Sequence, residues 1–143
     1  MAILVLTQGN LAQELLSSAQ SITGELQDFE ALSLGWQDSL EEGRHKVQAV
    51  LDRLDTRQGV LILTDMYGST PNNVALSFRD SSQVEVVTGV NLPMVVRLGC
   101  LGKQNLSLAD MARWLRDKGR SSICLAESTC AERLESPCAE VRP

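Results

Sequence analysis

With 143 residues, 43% of them apolar, the chain can bury the core of one ordinary domain and is too apolar to be disordered. A formal net charge of −5 argues against nucleic acid as a partner, because phosphate backbones demand a basic surface. No apolar run approaches the ~20 residues of a membrane span, and no basic residue precedes the first apolar run as a secretory signal would require, so a cytoplasmic location without membrane insertion is expected.

The first element is an apolar run, Ile3-Leu4-Val5-Leu6, broken by Thr7-Gln8-Gly9 and followed by Leu11, Leu15 and Leu16 at helical spacing. It reads as a buried strand, a tight turn and a helix. Asp28 to Leu34 carries Phe29, Ala31, Leu32 and Leu34 and reads as a second strand. In the segment 38–55, Leu40, Val47, Val50, Leu51 and Leu54 recur at helical spacing, and Asp38 or Ser39 can cap the start. Gly59 to Asp65 is apolar on both faces at Val60-Leu61-Ile62-Leu63, the mark of a central parallel strand covered on both sides.

After the loop Met66-Tyr67-Gly68-Ser69, the pair Thr70-Pro71 predicts a helix start, with Thr70 as N-cap and Pro71 at the first helical position. That helix is expected to stop near Arg79. Gln83 to Gly89 is the next strand. Residues 91–99 form a short helix entered through Pro93, and residues 107–119 a longer one with Leu108, Met111, Ala112 and Leu115 as its apolar stripe. Residues 121–128, SSICLAES, offer a fifth strand, and beyond them the sequence turns polar.

Strands and helices therefore alternate. The expected fold is α/β: an open, mainly parallel, doubly wound sheet with helices on both faces. In such sheets the site lies at the carboxyl ends of the strands. Three loops qualify, around Gln8-Gly9, Asp65 to Thr70, and Thr88 to Asn91. Gly9, Gly68 and Gly89 let the backbone bend, and Thr7, Ser69, Thr70 and Thr88 bring hydroxyls. Each loop feeds a helix N-terminus, so together they can hold an anion without Lys or Arg. Plain turn chemistry accounts for the same residues equally well.

Asp65 is the one carboxylate that ends a fully apolar strand. It reads either as an acceptor orienting the side chain at position 8 or as a turn residue bonding its own loop. His45, between Arg44 and Lys46, belongs to a solvated helix face. Trp36 and Trp114 are expected to pack rather than to stack on a ligand. The cysteines at 100, 124, 130 and 138 make no Cys-x-x-Cys pair and stand with a single histidine, so free thiols are expected, with no metal site and no cofactor.

The motifs "LVLTQGNLAQELL", "GVLILTDMYGSTPNNVAL" and "VEVVTGVNLPMVVRL" together resemble the IIA component of the mannose class of the bacterial phosphoenolpyruvate-dependent sugar phosphotransferase system. The resemblance covers residues 1–127 and leaves 128–143 as a polar tail. It implies a small phosphocarrier domain, usually dimeric, with four parallel strands and a C-terminal antiparallel one. In such proteins a histidine in the first loop takes phosphate from the histidine phosphocarrier protein and hands it to the IIB component. An aspartate orients the imidazole, and a hydroxyl before the proline, with the backbone of the glycine loop, contacts the phosphate. The resemblance places Asp65 and Thr70 in those two roles, and Gly9, Gly68, Ser69 and Gly89 in the phosphate-binding loop.

It also places Gln8 where the histidine belongs. Tyr67 stands where Phe is usual, and Ser69 where a second glycine is usual. A carboxamide nitrogen delocalises its lone pair, so it is not a nucleophile for phosphorus, yet it can donate a hydrogen bond to Asp65. Gln8 is thus expected to keep the polar pairing of a neutral histidine without its chemistry. Three readings stay open: an engineered block of a natural carrier, a naturally phosphorylation-silent module binding IIB or another protein, and an anion or metabolite sensor. The assignment requires the side chains at positions 8 and 65 to share one pocket.

Overall fold

The computed structural model describes residues 1–79, 82–101 and 106–125. Along them run β1 (Ala2–Gln8), α1 (Leu11–Thr23), β2 (Phe29–Leu34), α2 (Leu40–Leu51), β3 (Val60–Thr64), α3 (Thr70–Leu76), β4 (Val84–Thr88), α4 (Leu92–Cys100) and α5 (Leu108–Ser121). The four strands form one parallel sheet in the order β2-β1-β3-β4.

Alternation along the strands sorts the core into two layers. Ala2, Leu4, Leu6, Val60 and Ile62 pack with Val47, Val50, Val74 and Ala75 of α2 and α3. Ile3, Val5, Leu61, Leu63 and Val87 pack with Ala12, Met94, Leu98, Met111 and Leu115 of α1, α4 and α5. Both faces are covered, which is why β1 and β3 read as unbroken apolar runs. Gly43 lets α2 approach closely: a Cβ there would stand 2.8 Å from Val74 Cγ2 and 3.1 Å from Leu34 Cδ1.

The helix starts follow the local chemistry. Ser39, not Asp38, caps α2, and with Glu42 it forms a complete capping box. Asn91 caps α4 through the Met94 N–H, and Ser107 caps α5 through the Asp110 N–H. At α3 the expected assignment is shifted by one residue. Ser69 is the N-cap, Thr70 the first helical residue and Pro71 the second. The Ser69 hydroxyl accepts the Asn72 N–H, while the Asn73 N–H, which Thr70 would have needed as a cap, goes to the Ser69 carbonyl.

The expected fifth strand is not formed by the described residues. Ser121 closes α5, Ser122 caps it and 123–125 lie in no strand; residues 126–128 and the tail fall outside the described residues. Cys100 is disulfide-bonded, contrary to the expected free thiol, whereas Cys124 is free and exposed. No helix among the described residues is long and apolar enough to cross a membrane.

Candidate functional site

Strand order decides where a site can form. From β1 the chain moves outward to β2, then crosses back to β3 and on to β4. The helix after β1 lies on one face of the sheet and the helix after β3 on the other. The loops leaving β1 and β3 therefore diverge, and a crevice opens between their carboxyl ends. Gln8 ends β1, and Asp65 follows the last residue of β3.

The two residues meet, but not through the expected contact. The backbone N–H of Gln8 donates to Asp65 Oδ2 at 2.8 Å. The Gln8 carboxamide turns toward the end of β2, where Nε2 donates to the carbonyls of Gly35 (2.6 Å) and Leu34 (3.3 Å). Because β2 and β3 flank β1 on opposite sides, the side chain at position 8 leans away from the carboxylate. The expected pairing of the two side chains is thus corrected, and the shared pocket that the assignment of position 8 required is not found: the side chains turn to different partners, and positions 8 and 65 meet only through the Gln8 backbone. Two carbonyls at the end of β2 are within reach of the amide hydrogens, and the carboxylate already accepts three hydrogen bonds.

That occupancy is local. Asp65 Oδ1 accepts the Met66 N–H at 2.7 Å and the Ser69 hydroxyl at 2.7 Å. Of the two sequence readings of Asp65, the turn residue bonding its own loop describes the side chain, with the Gln8 backbone as a further donor. Thr70 is half-buried, and its hydroxyl makes no hydrogen bond among the described residues.

The glycines divide into two sets. The Gly9 N–H is taken by the Leu34 carbonyl (2.9 Å), and the Gly89 N–H by the Thr64 carbonyl (2.9 Å). Neither is left for an anion, so the expected cradle loses these two donors. Among the described residues the N–H groups of Gly68 and Thr70 donate to no carbonyl. Gly68 adopts φ +83°, a conformation that glycine takes without strain. The Thr7 hydroxyl is fully buried and accepts the Ala12 N–H at 2.8 Å, a structural tie into α1.

Exposed apolar side chains stand in the loops that follow β2 and β3. Trp36 is 81% exposed, Tyr67 79% and Met66 66%. The Trp36 indole lies beside Gly9, within 4 Å of where a Cβ would stand. Packing was expected for Trp36 and is found only for Trp114, which is half-buried against the core. The sequence gives one signal for Trp36: it follows the glycine just past β2, which puts it in a loop at the carboxyl edge. His45 is exposed, 3.8 Å from Glu41, on the outer face of α2. Among the described residues no group of three His, Cys, Asp or Glu side chains is placed to hold a metal ion.

The family model described as EIIA-man, PTS system fructose IIA component, matches residues 2–113. The chain belongs to this family. It is 32% identical over 128 residues to the PTS system mannose-specific EIIAB component of Escherichia coli K12, covering 85% of this chain. The chain spans 38% of the length of that relative. A PTS system fructose-specific EIIA component of Bacillus subtilis is 26% identical over 135 residues, with 94% of this chain and 89% of the relative covered.

Solved structures agree in fold. The mannose/sorbose-specific IIA subunit from Enterococcus faecalis superposes with a TM-score of 0.76 at 28% identity, covering 88% of this chain and 94% of its own. A PTS IIA protein associated with the fucose utilization operon of Streptococcus pneumoniae gives 0.76 at 30% identity, covering 94% and 96%.

Proposed function

We propose that this chain is a mannose-class IIA domain, spanning residues 1–127, whose phospho-acceptor position is held by Gln8 and which does not carry phosphate. The observation that supports this most directly is the state of the Gln8 carboxamide at the mouth of the β1–β3 crevice. Its nitrogen has no free lone pair, and its hydrogens are directed at the Gly35 and Leu34 carbonyls. Transfer through histidine needs a ring nitrogen in line with phosphorus and a carboxylate on the other ring N–H. Position 8 has no such nitrogen, and Asp65 is engaged by its own loop and by the Gln8 backbone. His45 lies on the outer face of α2 and cannot take over.

Within this reading Thr70 and the Gly68 N–H are the groups left to contact a phosphate. The phosphocarrier protein and the IIB component are the partners, the chain works in the cytoplasm, and it pairs as a homodimer. A second reading, a phosphorylation-silent module that binds IIB or another protein, draws support from the exposed rim of Trp36, Met66 and Tyr67. Bulky aromatic side chains beside a polar crevice are the usual anchors of protein interfaces. The sensor reading is weakened by the engagement of the Gly9 and Gly89 N–H groups.

The deciding experiment is intact-mass measurement after incubation with phosphoenolpyruvate and the general relay proteins. No mass gain is expected; a gain of one phosphate on this chain overturns the proposal. A pull-down with IIB tests the second reading, which requires the chain to retain a partner although position 8 is inert and fails if nothing is retained.

A further inference from the structure

Asp65, directly after β3, accepts three hydrogen bonds. A carboxylate offers about four lone-pair sites, and three are filled here: by the Gln8 N–H on Oδ2, and by the Met66 N–H and the Ser69 hydroxyl on Oδ1. Of these donors only Ser69 acts through its side chain. Its hydroxyl donates to Asp65 at 2.7 Å and accepts the Asn72 N–H at 3.3 Å. One oxygen therefore couples the carboxylate to the first turn of α3.

We propose that Ser69 is a positioning residue that holds Asp65 on its own loop and so withholds it from any side chain at position 8. The site is closed twice, once by Gln8 and once by Ser69. This rests on reading position 8 as the phospho-acceptor position. The physical reason is competition. A hydrogen bond to an ionised acceptor is about twice as strong as a neutral one, so Asp65 cannot rotate toward a neighbour without giving up its best side-chain partner. A donated hydrogen bond also draws charge from the carboxylate and weakens its pull on a nearby imidazolium. A glycine at position 69 has no hydroxyl and imposes neither effect.

The test compares Gln8→His with Gln8→His/Ser69→Gly and Gln8→His/Ser69→Ala. Glycine remains a fair N-cap and alanine a poor one, but both lack the donor. The imidazole introduced at position 8 is titrated by NMR, with His45 as internal reference. Its midpoint is expected to rise by about half a pH unit to one unit in both double variants relative to the single, because Asp65 becomes free to pair with it. Loss of the cap alone would separate the glycine and alanine variants instead of shifting them together. Phosphate uptake from the relay is expected to be about tenfold faster in the Ser69→Gly double variant than in Gln8→His.

Midpoints that coincide in all three proteins overturn the role of Ser69, as does measurable phosphate uptake that is equal in single and double variants. If the midpoints rise as expected but none of the variants takes phosphate, Ser69 keeps its role and the acceptor reading of position 8 fails.

Discussion

Replacing Asp65 with alanine measures what the carboxylate does for the fold, separately from any phosphate chemistry. Three donors lose their acceptor. The Met66 N–H is exposed and exchanges to water at little cost. The Ser69 hydroxyl is half-buried and recovers part of its loss from water, leaving ~0.5–1 kcal/mol. The Gln8 N–H, at the partly buried end of the central strand, loses a charged acceptor, worth ~1.5–2 kcal/mol. The expected destabilisation is therefore ~2–3 kcal/mol, read from urea midpoints at unchanged m value.

Gln8→Ala removes the bonds to the Gly35 and Leu34 carbonyls, but these also accept from the Asp38 and Gly9 N–H groups, so its cost is ~0.5–1 kcal/mol. Because Asp65 meets the backbone of residue 8 and not its side chain, the double variant is expected to be additive within ~0.5 kcal/mol. An Asp65→Ala cost below ~0.5 kcal/mol, or a coupling above ~1 kcal/mol between the two substitutions, contradicts these contacts.

Three further outcomes follow from packing and capping. Gly43→Ala drives a methyl against the branched Val74 and the packed Leu34 and is expected to destabilise by ~1–3 kcal/mol despite the gain in helix propensity. Gly119→Ala meets the unbranched Met94 side chain, 2.6 Å from its Sδ and 2.9 Å from its Cγ, which adapts more readily than a branched Val, so thermal melts should rank it milder than Gly43→Ala. Ser39→Ala removes the capping box of α2 and should cost ~1 kcal/mol in denaturant titration; no change would mean that Glu42 and water cap the helix unaided. The Lys46 ammonium and the Gly35 N–H hold the Asp38 carboxyl below the usual aspartate value. A carboxyl depressed in the fold contributes stability above its unfolded pKa and loses it as pH falls through the folded one. The Gly35 amide shift should therefore titrate below the ordinary aspartate range, and a midpoint within that range would contradict the contact.

The parallel core was legible in the chain because its causes are local. Val60-Leu61-Ile62-Leu63 is apolar on both faces only if helices cover both faces, and they do. Ser107 and Asn91 sit directly before apolar-periodic segments, and each caps the helix that follows it. The rule that sites gather at carboxyl strand ends brought out Gln8 and Asp65, and the fold sets them 2.8 Å apart, backbone nitrogen to carboxylate oxygen.

What the chain could not disclose is how polar atoms choose among partners that folding brings together. The Gln8 carboxamide turned to carbonyls 26 and 27 residues away, not to the carboxylate 57 residues away, because Asp65 was already held. Ser69 rather than Thr70 became the cap because its backbone reaches the extended ψ of 164° that a cap requires, a choice that two adjacent hydroxyls leave undecided. Trp36 looked like a core residue by composition and ended 81% exposed. Hydrophobic period is a property of neighbours along the chain, so the sequence determined the layers. Hydrogen-bond partnership at the strand ends depends on distances between separate loops, and only the tertiary structure decided it.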